Sequence, residues 1–360
     1  MQHFPSFNLP AQIELFEPEI SKSGHIGDTV LQANLKFLRD YANVDMPKRA
    51  QNVVKLDKKD VKSGDFLAII RISGLETMQV WGTGARTGHT AVAMWDEGGE
   101  LWVMESTDKT NYWPNPNIQK TKWDEWIAMS ESAQYNVVLL PLSDDSRAKF
   151  NASAALHYFR SVEGVPYGYH NFIWGWVDTE QGNWPGPLSH QLVEVGFALV
   201  ERVSAFIAKR MWVDAFNKRL GGSYNGTVET YNAAAAAGIS FGSLVSMVEL
   251  DKWVYEDGPS MVCDVFACLM YKAGGLFGDL KDEVQCTEMQ NWDVEVIAFF
   301  NTSKSAQLPQ CAAADPSLTY CQLMGTHLLA IPGYGTVKPY PNMRNNCPAL
   351  PPLFQRPDGC

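Results

Sequence analysis

The sequence predicts an α+β protein built on an antiparallel sheet, and three stretches carry that expectation. In "KSGDFLAIIRISG" a turn signal precedes the near-continuous apolar run Leu67, Ala68, Ile69, Ile70 and Ile72, the pattern of a buried strand. In "TGHTAVAMWDEGGELWVMESTD" Ala91, Ala93 and Trp95 alternate up to the turn "DEGGE", and Leu101, Val103 and Glu105 then occupy the same face of the return strand, which predicts a hairpin. In "GPSMVCDVFACLMYKAGGLFGD" a helix follows Pro259, anchored by Val265, Phe266, Leu269 and Met270 and stopped by Ala273 to Gly275.

The remaining elements follow in chain order. Residues 1–60 read as a leader with one helix around "DTVLQANLKFLRDYA". After the hairpin come a helix at "KWDEWIAM", a strand at "YNVVLLPL" and a helix over "DDSRAKFNASAALHYFRSVEG" that starts at an Asp or Ser cap and ends at Gly164. Residues 61–285 form one unit, interrupted by a helical insertion at about 186–255. In the insertion, the charges Glu194, Glu201, Arg202 and Lys209 recur at steps of seven or eight and leave Leu192, Val195, Leu199, Val203 and Phe206 on the opposite side, which predicts a long amphipathic helix. The uncharged run "TYNAAAAAGISFGSLVSMV" is expected to be a buried or packed helix, its Asn, Gly and Ser content arguing against a membrane span. Residues 286–360, rich in Pro, Gly and Asn, are expected to form a Cys-rich extension packed on the domain.

Bulk composition narrows the function classes. Hydrophobic residues make up 46% of the 360, ample for a packed core, and 29 basic against 40 acidic side chains give a formal charge of -11. That charge repels phosphate backbones, so nucleic acid is not an expected partner. No charged region leading into an apolar one opens the sequence, and a secretory leader is expected to be absent or already removed. Five of the seven cysteines (Cys286, Cys311, Cys321, Cys347 and Cys360) lie in the last quarter, where covalent staples gain most, and with Cys268 they are disulfide candidates whose pairing is open. Sequons at Asn151, Asn225 and Asn301 are candidate glycosylation sites. Together they point to an oxidising compartment, secreted or endolysosomal.

Cys263 lies in the first turns of its helix, where unpaired N–H groups and the positive end of the macrodipole favour a thiolate. Such a nucleophile needs a base, usually a histidine held on a rigid strand and oriented by a third polar group. His89 begins the strand "GHTAVAMW", and Glu105 lies across the hairpin within reach of its imidazole. Taken singly, each has a plain structural reading: a buried thiol, a strand-end histidine, a solvated glutamate.

Four segments resemble, in order, the circularly permuted papain-fold enzymes of the NlpC/P60 superfamily, particularly its YaeF/YiiX-like branch, with lecithin:retinol acyltransferase as a cousin. They are "SGDFL" at Ser63 to Leu67, "GHTAVAMW...GELWVMES" at Gly88 to Ser106, "GVPYGYHNF" at Gly164 to Phe172 and "CDVFACLMYKAGG" at Cys263 to Gly275. The resemblance implies a permuted papain-like fold and a thiol hydrolase with Cys263 as nucleophile, His89 as base and Glu105 as third member. It also implies that Tyr167 lines the substrate cleft and that no metal or cofactor is needed. The sequence departs from the family in having Asp264 directly after the cysteine, in the insertion and in the Cys-rich tail. Three functions stand open: an amidase or peptidase acting on peptide or N-acyl amides, an esterase or acyltransferase acting on lipid esters, and a non-catalytic binding or structural protein. "GTHLLAIPGYG" also resembles the histidine strand of unpermuted papain-like proteases, which leaves His327 as the alternative base.

Overall fold

A computed structural model describes residues 24–50, 53–110, 112–168, 197–199, 201–202, 204–245 and 247–341, together with Leu15, Val195 and Met343. Its elements run α1 (Asp28–Ala42), β1 (Asp65–Arg71), α2 (Gly74–Thr83), β2 (His89–Trp95), β3 (Leu101–Thr107), β4 (Asn117–Lys122), α3 (Trp123–Ser132), β5 (Tyr135–Leu140), α4 (Asp144–Lys149), α5 (Ala152–Val162), α6 (Ala205–Ala208), α7 (Asp214–Leu220), α8 (Thr227–Ala236), α9 (Phe241–Val245), α10 (Cys263–Ala273), α11 (Asn291–Val296), α12 (Pro309–Ala314) and β6 (Cys321–Met324). The chain is α+β, as expected, with six antiparallel strands ordered β4-β3-β2-β1-β5-β6.

The strand with the longest apolar run, β1, is covered on both sides, as is β5 beside it. Every residue of β1 is buried, and it pairs with β2 through Ile69↔His89 and with β5 through Leu67↔Leu139. Its alternate residues divide between two cores. Phe66, Ala68 and Ile70 join Val92, Met94 and Met104 under Val265 and Phe266 of α10 and Phe159 of α5. Leu67 and Ile69 join Ala91, Ala93, Leu101 and Val103 against Trp113 and Trp126. A fully buried Leu, Ile or Phe contributes about 1.5–3 kcal/mol, so these two layers carry most of the hydrophobic stabilisation. α10 is thus pressed against β2 and β3 by its own apolar face.

Three expectations are corrected. The single helix over 144–164 is two: Phe150 turns extended to stack edge-on against Tyr271, 6.3 Å between centroids, and Asn151 caps a new helix by accepting the Ala154 N–H. The uncharged run also breaks in two, at Gly238, whose φ of 72° suits glycine, and its alanines are mostly exposed, with Ala234 buried. In the insertion, Val195, Leu199 and Phe206 are 55%, 58% and 70% exposed, while Phe197, Trp212 and Phe216 are buried in a small separate core. The buried side follows the aromatic contacts of the insertion's own core, where Phe197 stacks on Trp212 at 4.4 Å and lies 5.9 Å from Phe216, and a π turn at Lys209–Val213 joins α6 to α7. Leu192 and Val203 lie outside the described residues.

The C-terminal segment does more than pack on the domain, since β6 pairs with β5 as the sixth strand. Two disulfides are present: Cys268–Cys286 ties α10 to the segment after it, and Cys311–Cys321 ties α12 to β6, with Cα separations of 5.6 and 5.0 Å. Cys263 is a free, buried thiol; Cys347 and Cys360 lie outside the described residues. Asn151 and Asn225 are exposed and Asn301 is partly so. Among the described residues no helix is long and apolar enough to cross a membrane.

Alkylation of the unreduced protein followed by peptide mass mapping is expected to recover the linked pairs Cys268–Cys286 and Cys311–Cys321 and to find the alkyl group on Cys263. Recovery of Cys263 in a disulfide-linked peptide would contradict this arrangement.

Candidate active site

β3 acts as the ruler of the site, because its adjacent residues face opposite sides of the sheet. The pairs Ala93↔Val103 and Val92↔Met104, continued two residues, set His89 diagonally from Glu105 on one face. His89 Nε2 lies 2.7 Å from Glu105 Oε2. On the other face, the Ser106 hydroxyl donates to the Met261 carbonyl at 2.7 Å, pinning the segment that leads into α10. Met261 N–H donates to Pro166 O at 3.2 Å, and a parallel bridge links Met261 with Tyr167. One strand therefore places both the partner of His89 and the start of α10.

Glu105 is fully buried and receives three donors. Its Oε1 accepts from Gln119 Nε2 at 2.7 Å and from Trp126 Nε1 at 3.0 Å, while Oε2 faces His89. Gln119 sits directly opposite Glu105 in the β3–β4 register, and its own Oε1 accepts from Thr121 Oγ1 at 2.9 Å, which turns its amide N–H toward the carboxylate. These bonds offset the desolvation cost of burying the carboxylate.

The loop before β2 holds His89 at its post. Arg86 and Thr87 donate their backbone N–H groups to the buried Glu295 carboxylate of α11, joined by the Thr87 hydroxyl. Asn291 Nδ2 donates to Thr87 O at 3.0 Å. Gly88 permits close approach of α2: a Cβ there would lie 2.7 Å from Glu76 Cβ.

Cys263 is the first residue of α10, 2% exposed, preceded by an extended Val262. The Cys263 side chain interacts with His89 and helps to raise its pKa, while Nε2 faces Glu105. Burial opposes a charge on His89, yet the bonds to Cys263 and Glu105 and their negative charge outweigh it, so the imidazole pKa rises well above its ordinary value. The Asp264 carboxyl takes its own N–H and that of Val265, leaving the Cys263 N–H as the helix-terminal donor beside the sulfur. Burial raises Asp264, Glu76 and Glu295 each to about 7.

A cavity of about 510 Å³ opens beside the imidazole, with His89, Trp113, Tyr135, Tyr167, Phe206 and Met211 among its walls. The half-buried Tyr167 thus stands in the cleft wall, and Phe206, Arg210 and Met211 of the insertion line it as well. His89, Glu105, Cys263 and Tyr167 come together. His327 does not join them: it is buried beyond β6, its backbone N–H donating to Asn136 Oδ1 and its Nδ1 contacting Thr326 Oγ1, and burial and Lys48 lower its pKa. Gln119, Trp126, Ser106 and Glu295 escape sequence reasoning; only Gln119 carried a signal, and it needed the strand pairing to be read. Among the described residues, no group of three or more His, Cys, Asp or Glu side chains is arranged to hold a metal ion.

The buried groups make a pH prediction. Asp264, Glu76 and Glu295 keep to about pH 7 protons that an unfolded chain releases near 4, and His89 keeps its proton above its ordinary value of about 6.5. The folded state therefore binds more protons than the unfolded one, and stability falls as pH rises from about 4 through 7 and beyond. Thermal unfolding should give a higher Tm at pH 5 than at pH 8, with a smaller difference in Asp264→Asn. A Tm that is flat or rises over this range would contradict these shifts.

Comparison with family models, curated proteins and solved structures finds no match to this chain.

Proposed function

We propose that this chain is a cysteine hydrolase that cleaves amide bonds, peptide or N-acyl, through a thioester acyl-enzyme, on a circularly permuted papain-like fold of the NlpC/P60 kind that its motifs resemble. The observation that carries the reading is the series Glu105, His89 and Cys263, with the imidazole bonded to the buried carboxylate through Nε2 and its pKa raised by the Cys263 side chain as well as by Glu105. The histidine strand also precedes the cysteine helix in the chain, as in the permuted order.

The Cys263 thiolate attacks the substrate carbonyl carbon, and the electron pair of the C=O bond moves to oxygen. The resulting oxyanion lies next to the Cys263 N–H at the positive end of α10. As the C–N bond breaks, the His89 imidazolium donates the Nδ1 proton to the departing amine. Neutral His89 then takes a proton from water, which attacks the thioester, and the sulfur leaves as thiolate with the imidazolium restored. Glu105 holds Nε2–H throughout and moves no proton, so it is a positioning residue. A neutral Asp264 serves this site better than an ionised one, because a carboxylate beside the oxyanion would repel it. The two disulfides and three sequons favour a secreted or lysosomal setting. The same steps cleave esters, a second reading favoured by the apolar walls of the cavity.

Iodoacetamide labelling across pH, run beside turnover on a panel of amide and ester substrates, tests the proposal. Cys263 should label at neutral pH far faster than a model thiol, and His89→Ala should remove that advantage and slow turnover by about 10²–10⁴-fold. Cys263→Ala should abolish turnover, Glu105→Gln weaken it less than His89→Ala, and His327→Ala leave it largely intact. A Cys263 that labels no faster than a model thiol, with or without His89, would refute the proposal.

A further inference from the structure

Two large, exposed apolar side chains that a globular protein would ordinarily cover border the cavity beside His89. Leu75 of α2 is 54% exposed and Phe206 of α6 is 70% exposed, and both line it. Between them the lining is largely aromatic and aliphatic: Tyr112, Trp113, Tyr135 and Met211. Trp113 and Tyr135 stack at 5.2 Å, a rigid floor that loses little entropy when a ligand settles on it. The insertion's contribution depends on the π turn: Phe206 precedes it, and Arg210 and Met211 within it face the cavity while Trp212 turns into the insertion's own core. Short π segments in helices commonly mark functional sites.

The placement of the cavity relative to the two reacting side chains decides which part of a substrate it holds. His89 lines it and Cys263 does not. The acyl group becomes bonded to sulfur, whereas the imidazolium hands its proton to the group that leaves, so the leaving group departs on the imidazole side. Resting on Cys263 as nucleophile and His89 as general acid, we infer that the cavity is a leaving-group site, and that the preferred substrates are amides or esters whose amine or alcohol portion carries a long aliphatic or aryl group. Phe206 and Met211 of the insertion are specificity residues for that group. The covalent bookkeeping is that of the proposed hydrolysis: the C–N or C–O bond breaks, the leaving atom receives the His89 proton, and the apolar amine or alcohol is released from the cavity.

Two ester series distinguish the sides of the bond: acetates of alkan-1-ols from ethanol to decanol, and ethyl esters of straight-chain acids of matching length. Each buried methylene is worth about fourfold, so kcat/KM should rise at least tenfold along the alcohol series and stay nearly level along the acid series. Phe206→Asp and Met211→Asp should each flatten the rise, whereas Val228→Asp, at an exposed apolar position on α8 outside the cavity, should keep it. Calorimetric binding of the same alcohols to the Cys263→Ala protein reads the cavity without turnover and should show the same chain-length dependence. A rise along the acid series instead, or chain-independent binding of the alcohols, would overturn the inference. Slow iodoacetamide labelling of Cys263 alongside chain-dependent alcohol binding would strike the proposed chemistry and leave the cavity's preference standing.

Discussion

The hydrogen bond between Glu105 and His89 is the constraint on which the rest of the site depends. Glu105 is a fully buried carboxylate whose donors are Gln119, Trp126 and the imidazole, and of these only the imidazole can carry a positive charge. An uncompensated buried charge costs several kcal/mol, so the folded protein favours a charged His89, whose pKa Cys263 and Glu105 both raise. The three groups form one electrostatic unit, and a change at any of them is felt at the other two.

Much of the remaining structure keeps that unit in register. β4 brings Gln119 opposite Glu105, and α3 brings Trp126 to the same oxygen. α11 fixes the loop before His89 through Glu295 and Asn291, although it lies about 200 residues further along the chain. The Cys268–Cys286 bond ties α10 to the segment that leads to α11. The C-terminal part is therefore a brace for the site as well as a cover for the sheet. The insertion stands apart, with its own small aromatic core, and presents its outer residues to the cavity.

The hairpin was legible because period-two alternation on both sides of "DEGGE" is enough to place His89 and Glu105 on one face without knowing the fold. The helix at Cys263 was legible from its apolar spacing and its glycine stop. β4 was not, since "NIQKTK" offers alternation without apolar weight, so Gln119 could be set opposite Glu105 only once the strand pairing was known. Glu295 was beyond reach because its role depends on a contact between residues 86 and 295, which no local pattern encodes. The insertion misled for a specific reason: spacing of charges cannot show that Phe197, Trp212 and Phe216 stack into a separate aromatic core, which takes the buried side and leaves Val195, Leu199 and Phe206 outside it. Asp264 showed as a departure from the family pattern, whereas its capping of the helix start and its shift to about 7 needed coordinates.

The charge state of His89 is the most direct test of this account, and ¹⁵N NMR of the imidazole across pH reads it. In the native protein both ring nitrogens should be protonated at neutral pH and remain so well above 6.5, the ordinary histidine value being about that figure. In the Cys263→Ala variant, with the sulfur's contribution removed and burial still opposing charge, titration should move to lower pH. A His89 that is neutral at pH 7 in the native protein, or whose titration is the same with and without the sulfur, would contradict the coupled unit on which the proposed chemistry stands.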